Sequence, residues 1–325
     1  YLDLPVGVNH DGYDVWKEKN LYALDAAAGA PPDALFTSGQ NWGFPPLHPA
    51  ALRAQGYRHF IAYLRNHLRF AGVLRIDHLM MLHRLFWIPK GMEAKDGVYV
   101  KYRPEEYYAI LALESQRARS LLIGENLGTV PPEVTPAMER HAIQQMYVVE
   151  YEAANPHLTG LRAPPANSVA SLNTHDMFPI ASFWEGHDVP YREKLGLIRG
   201  DDVARERGES ERRRGVLTDF LRRDGWLKGE AWGTREILKA LLAFLAASPA
   251  RLVIVNLEDL WLELNPQNVP GTWREHPNWK RRLRLSLEQF AGDAAVIEAL
   301  KLVDSRRPGR SDEPTRPAEL EAASP

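Results

Sequence analysis

The sequence has 325 residues, of which 45% are hydrophobic, so it can bury a substantial core as one large domain or two small ones. Its formal net charge is −2, which gives no electrostatic reason to expect nucleic acid or an anionic membrane as a partner and favours a neutral ligand. It has no cysteine, which excludes disulfides, a thiol nucleophile and thiolate metal ligands.

The most apolar helical stretch, residues 237–247, is too short to span a bilayer and contains Lys239. No basic segment followed by an apolar one opens the chain, so no secretion signal is predicted. The first residue is Tyr1, and the strand-like pattern of residues 1–8 indicates a sequence that begins inside a fold. We therefore expect a cytoplasmic protein with further sequence upstream.

Apolar, strand-like runs alternate with helical patterns along the chain. The predicted strands are residues 1–8, 71–77, 120–125, 144–150, 168–173 and 251–258, and the clearest helical patterns cover residues 49–69, 104–118 and 233–247. Such alternation predicts βαβ units and a parallel sheet. Six strands are two fewer than a closed eight-stranded barrel has, so the expected fold is α/β, a (β/α)8 TIM-type barrel that is two strands short.

The domain prediction has three parts. Residues 1–304 are expected to form the barrel domain. The charged stretch 189–230 is predicted to be a helical insertion before the last strand, because its many Arg, Glu and Asp residues suit solvated helices. Residues 305–325 are rich in Pro, Arg, Glu and Ser, a composition that predicts a disordered tail.

Three acidic residues stand at the C-terminal edges of predicted strands. They are Asp77 in VLRIDH, Glu125 in LLIGEN and Asp176 in SVASLNTHD. A barrel of parallel strands carries its chemistry at the end where strands pass into loops. We therefore expect these three carboxyl groups to converge at one mouth of the barrel.

The neighbours of these acids indicate different roles. Arg75 lies two residues before Asp77 and so on the same side of a strand, where its charge would keep Asp77 ionised, as a nucleophile needs to be. Glu125 ends an apolar strand, so desolvation should raise its pKa towards that of a general acid. His175 places a donor beside Asp176. Each acid also has a structural alternative. Asp77 can form a structural ion pair with Arg75, Glu125 can be a turn carboxylate, and Asp176 can form a structural pair with His175.

Two loops rich in Pro and in aromatic residues are candidate ligand surfaces. Residues 31–49 include Trp42, whose face can stack on a sugar ring. Residues 265–283 have the same Pro, Asn and Trp character and include Asn268. Either loop can instead be a packed connection.

The His and Asp residues at 9–11, 77–78 and 175–176 leave a metallohydrolase as an alternative, because imidazole and carboxylate groups suit zinc. No paired ligand motif such as HxH or HExxH occurs in the sequence, so we predict no metal site.

Taken together, the motifs resemble those of a known family. DLPVGVNHDGYDVW, PPDALFTSGQNWGFPP, LRIDH, IGENLG, LNTHD, NLEDL and NVPGTWREHPNW resemble the amylomaltases, the 4-alpha-glucanotransferases of glycoside hydrolase family 77. The resemblance runs from residue 1 to about residue 285, in family order. It implies a (β/α)8 barrel, a retaining double-displacement mechanism, alpha-1,4-glucans and malto-oligosaccharides as partners, and no cofactor.

The resemblance also implies roles for single residues. Asp77 matches the nucleophile, Glu125 the general acid/base and Asp176 the carboxylate that stabilises the transition state. The residues expected to bind substrate are Arg75, His175, Asp11, Trp42, Asn126 and Asn268. Asn126 and Met177 stand where the family usually has Asp and Asn, so local hydrogen bonding and the pKa of the acid should differ.

Two other functions remain open from the sequence. An alpha-amylase-type glucan hydrolase would share the three acids, and a non-catalytic glucan-binding fragment would use the aromatic loop alone. The two strands expected upstream would ordinarily close the sheet, so this fragment is expected to be weak or unstable by itself.

Overall fold

The computed structural model describes residues 1–32, 39–155, 157, 159–272 and 274–307. Over these residues it has ten strands and twelve α-helices. The strands are β1 (Leu2–Leu4), β2 (Ala26–Ala30), β3 (Gln40–Asn41), β4 (Val73–Ile76), β5 (Arg84–Pro89), β6 (Val98–Lys101), β7 (Leu121–Gly124), β8 (Gln144–Val148), β9 (Ser168–Ser171) and β10 (Leu252–Val253). The helices are α1 (Tyr13–Lys17), α2 (Pro49–Ala54), α3 (Arg58–Leu68), α4 (Pro104–Ala118), α5 (Val134–Arg140), α6 (Val149–Ala154), α7 (Ile180–Glu185), α8 (Asp188–Lys194), α9 (Asp201–Arg223), α10 (Thr234–Ala246), α11 (Leu287–Gly292) and α12 (Ala294–Arg306).

Six strands form a parallel sheet in the order β1-β4-β7-β8-β9-β10. These are the six predicted strands, so the α/β class and the parallel sheet are confirmed. Each strand is shorter than its apolar run. β1 ends before Pro5, which has no backbone N–H to donate to a neighbouring strand. The run 251–258 pairs only at Leu252–Val253 and then turns into a 3-10 helix at Leu257–Trp261.

The parallel sheet is strongly curved. In a flat sheet, the four strand spacings from β1 to β9 would amount to about 19 Å. His175 in the loop after β9 nevertheless has its Nε2 atom 3.6 Å from Oδ2 of Asp3 in β1. This curvature confirms the predicted barrel architecture. The sheet edges, β1 and β10, do not pair with each other within the part of the chain that the structure describes.

Helices cover the convex face of the sheet. Leu74 and Ile76 of β4 are fully buried against α3, which contributes Phe60 and Leu64 to the same core. On the other half of the sheet, Tyr147 and Ala170 pack in a core with the leucines of α10. Side chains alternate along a strand, so Arg75, which lies between Leu74 and Ile76, faces the concave side of the sheet. Asp77, which follows Ile76, faces the same side.

A second sheet, with strands in the order β3-β2-β5-β6, is antiparallel and was not predicted. β2 has the sequence AAAGA, which lacks the β-branched and aromatic residues typical of strands. The sheet holds the predicted aromatic loop, since the N–H of Trp42 donates to the carbonyl of Ala28 at 2.9 Å. Residues 33–38 of that loop lie outside the described residues.

Helices α8 and α9 occupy most of the predicted insertion 189–230, between β9 and β10. Leu217, Phe220 and Leu221 of α9 are buried in the core shared with α10. The domain limits stay a prediction. Helix α12 extends to Arg306, and residues 308–325 of the predicted tail lie outside the described residues. Within the described ranges, no helix combines the length and apolar character that a bilayer crossing requires.

Candidate functional site

Asp77 and Glu125 directly follow two adjacent strands of the parallel sheet. Ile76 of β4 is in register with Gly124 of β7. Neighbouring strands lie about 4.8 Å apart, so both acids leave the sheet side by side and on the same face. The turn is fixed by the backbone, because the N–H of Glu125 donates to Ile76 and the N–H of Leu79 donates to Glu125, both at 2.9 Å.

Two glycines allow close packing around this turn. A Cβ atom at Gly124 would lie 2.4 Å from a methyl carbon of Leu79, which packs directly on β7. A Cβ atom at Gly7 would lie 2.1 Å from the ring of Phe44, which rests on the backbone after β1. Both distances are too short for any side chain larger than hydrogen. Glycine at these positions therefore lets Leu79 and Phe44 approach the rim of the sheet.

Arg75 links the first two strands of the sheet beneath Asp77. Its buried guanidinium has Nη1 2.7 Å from both oxygens of Asp3 and Nη2 2.9 Å from Oδ1 of Asp77. Asp3 is in register with Arg75 in the neighbouring strand. Asp3 was not predicted as a site residue, because its place opposite Arg75 depends on the register of two strands 72 residues apart. Arg75 thus fixes the orientation of Asp77, and Asp77 and Asp3 share its positive charge.

The carboxyl group of Glu125 is held by the backbone on both sides. It accepts hydrogen bonds from the N–H of His78 at 2.9 Å and from the N–H of Leu127 at 2.6 Å. Burial raises the pKa of Glu125 to about 7; the Leu127 N–H opposes this rise, and the charge of Asp77 adds to it. A carboxyl group that titrates near neutral pH can both donate and accept a proton in one reaction cycle.

His78 connects this acid to the aromatic loop. Its backbone is left-handed, with φ at 44°, and burial lowers the pKa of its ring to about 4, so the ring is neutral. The ring meets Trp42 edge-on, with 5.1 Å between centroids, and Trp42 stacks on Phe44 at 6.0 Å. The structure therefore places Trp42 close to the residue that follows Asp77.

Asp176 lies in the loop after β9, where the neighbouring His175 reaches across the curved sheet to Asp3. Its Oδ2 is 3.3 Å from Nε2 of His175, and its Oδ1 accepts a hydrogen bond from Asn268 at 2.8 Å. Partial loss of hydration raises the pKa of Asp176 although 43% of its side chain is exposed; His175 opposes the rise and Asp77 adds to it. The same His175 nitrogen contacts Asp3, the partner of Arg75. The three predicted acids thus belong to one cluster of side chains.

Trp279 stands at the outer edge of this cluster. Its ring centroid is 5.7 Å from that of His175, and 60% of the residue is exposed. It was not singled out from the sequence, although it lies in the predicted loop 265–283, because the contact with His175 joins segments far apart in the chain. An exposed indole at the mouth of a polar site offers a flat surface for an apolar ligand face.

Two predicted site residues have other contacts in the structure. Asp11 is exposed in a turn, where its N–H donates to Asn9 and its carboxylate lies 3.2 Å from Nδ1 of His10. The amide oxygen of Asn126 accepts from the N–H of Met146 at 3.0 Å, which joins the end of β7 to β8. For both residues, contact with a substrate stays a prediction.

The arrangement suits displacement at a carbon centre with acid/base help. One carboxylate is paired with a buried guanidinium, and the neighbouring carboxyl group titrates near neutral pH. The ion pair of Asp77 with Arg75 suits a nucleophile, and the raised pKa of Glu125 suits an acid/base. Among the described residues, no group of three or more His, Cys, Asp or Glu side chains is arranged to hold a metal ion.

Comparison with known proteins gives consistent matches. The sequence profile of a family described as 4-alpha-glucanotransferase matches residues 1–287. The chain is 38% identical over 303 residues to the 4-alpha-glucanotransferase of Haemophilus influenzae, covering 91% of this chain and 43% of that protein. It is 37% identical over 284 residues to the 4-alpha-glucanotransferase of Mycobacterium tuberculosis, covering 86% of this chain and 39% of that protein. The chain thus spans less than half the length of these relatives.

Two solved structures resemble the chain in fold. The crystal structure of amylomaltase from Corynebacterium glutamicum matches with a TM-score of 0.84 and 30% identity, over 93% of this chain and 46% of that one. Amylomaltase from Streptococcus agalactiae in complex with acarbose matches with a TM-score of 0.70 and 22% identity, over 93% of this chain and 57% of that one. The resemblance inferred from the motifs is confirmed.

Proposed function

Because this chain belongs to the 4-alpha-glucanotransferase family, glycoside hydrolase family 77, we propose that it transfers alpha-1,4-glucan segments between malto-oligosaccharides with retention of configuration. The observation that carries the proposal is the position of Asp77 and Glu125 at the ends of adjacent strands, on one face. Retaining glycosidases need two carboxyl groups about 5 to 5.5 Å apart, a separation that side chains on neighbouring strands can reach.

In the first step, Glu125 donates its proton to the glycosidic oxygen as the 4-hydroxyl departs, and Asp77 attacks the anomeric carbon. The product is a glucosyl ester on Asp77, with Glu125 now ionised. In the second step, Glu125 takes the proton of an acceptor 4-hydroxyl, whose oxygen attacks the anomeric carbon and breaks the ester. A pKa of about 7 lets Glu125 serve in both steps at neutral pH.

The remaining residues orient the donor sugar. Arg75 holds Asp77 in line for attack through its contacts with Asp3 and Asp77. Asp176, held by His175 and Asn268, faces the positive charge that develops on the sugar ring. Charge placed in advance costs no reorganisation in the transition state, so these contacts lower the barrier to both displacement steps.

Transfer in place of hydrolysis requires that a sugar hydroxyl reach the ester before water does. Trp42 and Trp279 flank the acid cluster through His78 and His175, where stacked sugar rings would exclude water. The proposal extends to alpha-1,4-glucans of starch, glycogen or maltose metabolism in the cytoplasm, with no cofactor. The absence of cysteine is compatible with that reducing compartment.

The test is product analysis after incubation of the chain with maltotriose. Transfer converts two maltotriose molecules into glucose and maltopentaose, and longer products follow. Asp77→Asn should abolish them, whereas Asp219→Asn, an exposed acid on α9, should not. Glucose and maltose without longer products would identify a hydrolase, and binding of maltotriose without any product would identify a glucan-binding protein; either result contradicts the proposal.

A further inference from the structure

The segment 256–263, sequence NLEDLWLE, follows β10 and is buried although it carries three acids. Glu258, Asp259 and Glu263 are each less exposed than one tenth, and Asp259 is fully buried. Buried carboxylates cost free energy unless hydrogen bonds or charges compensate them. None of the three takes part in the proposed chemistry, so their partners indicate what they do.

The partners of Asp259 lie at both ends of the loop that carries Asp176. Oδ1 of Asp259 accepts a hydrogen bond from the N–H of Ile180 at 2.8 Å, and Oδ2 accepts one from the side-chain amide of Asn173 at 3.0 Å. His175 and Asp176 are between these two residues in the chain. One carboxylate thus joins the start and the end of this short loop.

The amide of Asn173 extends the network. Its nitrogen also lies 3.4 Å from the carbonyl oxygen of Phe178, and its oxygen accepts a hydrogen bond from Asn256 at 3.3 Å. The oxygen of Asn256 in turn accepts from the N–H of Glu258 at 3.2 Å. Asp259 ends this network, and both of its carboxyl oxygens accept a hydrogen bond, one from Asn173 and one from Ile180. These donors favour the ionised form, although burial raises the pKa of Asp259 to about 7.

The same segment also holds the second loop of the site. Glu263 accepts hydrogen bonds from the backbone of Leu264 and Asn265 at 3.1 and 3.0 Å. Arg281 pairs with Glu258, and its Nη1 lies 3.5 Å from Glu263. Residues 264–281 include Asn268, which donates to Asp176. The two loops that meet at Asp176 therefore share one buried anchor.

We propose that Asp259 is a positioning residue for glucan transfer, which holds Asp176 at the reacting sugar by clamping residues 173 and 180. The inference rests on the proposed function. A displacement of about 1 Å in a group that acts on the transition state can lower a rate on the order of 100-fold. Asp259 therefore affects turnover without touching the substrate.

Asparagine at position 259 would disturb the network without changing the size of the side chain. Its oxygen can accept from Ile180, but its NH2 group then faces the NH2 group of Asn173. If the Asn173 amide rotates, its NH2 group faces the NH2 group of Asn256 instead. The swap Asp259→Asn/Asn173→Asp restores an acceptor opposite each donor, apart from the long contact with Phe178, and keeps the number of carboxyl groups unchanged.

The experiment measures kcat and KM for maltotriose and amide hydrogen exchange over residues 174–180. Asp259→Asn should lower kcat by about 10- to 100-fold with KM changed less than about twofold, and should speed exchange in this loop. The double swap should recover most of the wild-type kcat and most of the protection from exchange in the loop. Asp188→Asn, a buried acid of α8 outside these contacts, is the matched control and should leave both unchanged. The swap tests the proposal even if the single variant is unstable.

A second comparison tests the route of the effect. In an Asp176→Asn background, Asp259→Asn should lower kcat by less than about twofold, since the residue it positions is already absent. Two results would overturn the inference. One is that Asp259→Asn lowers kcat as much in the Asp176→Asn background as in the wild type; the other is that the single variant Asp259→Asn has normal kcat although its loop exchanges faster. If the wild-type chain forms no products larger than maltotriose, the proposed function is wrong. If the wild type is active and Asp259→Asn has a normal kcat, only this inference is wrong.

Discussion

The two sides of the acid cluster are held in different ways. Arg75, Asp77 and Glu125, the strand-end group, stand on or directly after paired strands, and the carboxyl group of Glu125 accepts two backbone hydrogen bonds. His175, Asp176, Asn268 and Trp279, the loop-borne group, stand on loops. The side chains of His175 and Asp176 are 39% and 43% exposed, against 4% for Arg75.

This difference indicates which residues tolerate change. Positions in the strand-end group are fixed by the sheet, so substitutions there remove chemistry without moving the strands that carry the group. The loop-borne group has fewer backbone partners and depends on side chains such as Asn268 and Asp259 for its position. Exposed loops with few buried contacts open more easily than core strands. We therefore expect substitutions in the strand-end group to have large, all-or-none effects on activity. Substitutions in the loop-borne group should have graded effects.

The largest effect is expected for Glu125→Gln, which should lower kcat for maltotriose on the order of 10³-fold, because no acid remains to protonate the leaving oxygen. With α-maltosyl fluoride, whose fluoride leaves without protonation, the variant should release one burst of fluoride per active site. Asp77→Asn should release none. Fluoride electrode measurements check this, and equal bursts in both variants would contradict the assigned roles.

Arg75→Lys should lower kcat by about 100-fold, because a single ammonium cannot reproduce the planar contacts that Arg75 makes with Asp3 and Asp77. Steady-state kinetics with maltotriose measures the effect, and Arg84→Lys on β5 of the second sheet is the control. A variant with normal kcat would show that Asp77 does not need the planar guanidinium group of Arg75, and the contrast between the two groups would lose its basis.

Stability should depend on pH through Glu125. Its pKa is about 7 in the folded protein against an ordinary value of 4.5, so the folded state binds the extra proton between these values. The group therefore contributes most below about pH 4.5, and this contribution, up to about 3 kcal/mol, is lost as the pH rises through 7. Urea unfolding at pH 5 and pH 8 should show a smaller difference for Glu125→Gln than for wild type. An unchanged difference would refute the shifted pKa.

Asn268→Ala should lower kcat by about tenfold, because it removes one hydrogen bond to a charged group that contributes about 1.5 kcal/mol. The unfolding temperature should stay close to that of wild type, since Asn268 supports the site and not the core. Kinetics and thermal unfolding together distinguish a role of Asn268 in the site from a role in the fold. A loss of stability with normal kcat would assign Asn268 to the fold.

Trp279→Ala should have the smallest effect, a rise in KM of about 2- to 10-fold at nearly constant kcat, as the loss of one stacking surface predicts. The rise should be clearer for maltoheptaose than for maltotriose if the ring lies over a distant sugar unit. Trp16→Ala, an equally exposed indole on α1, is the control. Equal KM values for Trp279→Ala and wild type would remove Trp279 from the substrate surface.

Much of the fold was readable from local patterns. All six parallel strands were located from their apolar runs, and the pattern 104–118 coincides with α4. The antiparallel sheet was missed, because AAAGA forms β2 only through pairing with β5 and has little strand tendency of its own. The strand ends were also misjudged where a proline or a 3-10 helix stops the pairing.

The sequence by itself determined the family, the class of fold and the identity of the three acids, because each acid follows an apolar run that is visible without any long-range contact. Only the tertiary structure decided what surrounds them. The contacts of Asp3 with Arg75, of Trp279 with His175 and of Asp259 with Ile180 join segments that are distant in the chain. Such contacts depend on strand register and sheet curvature, which no local pattern contains.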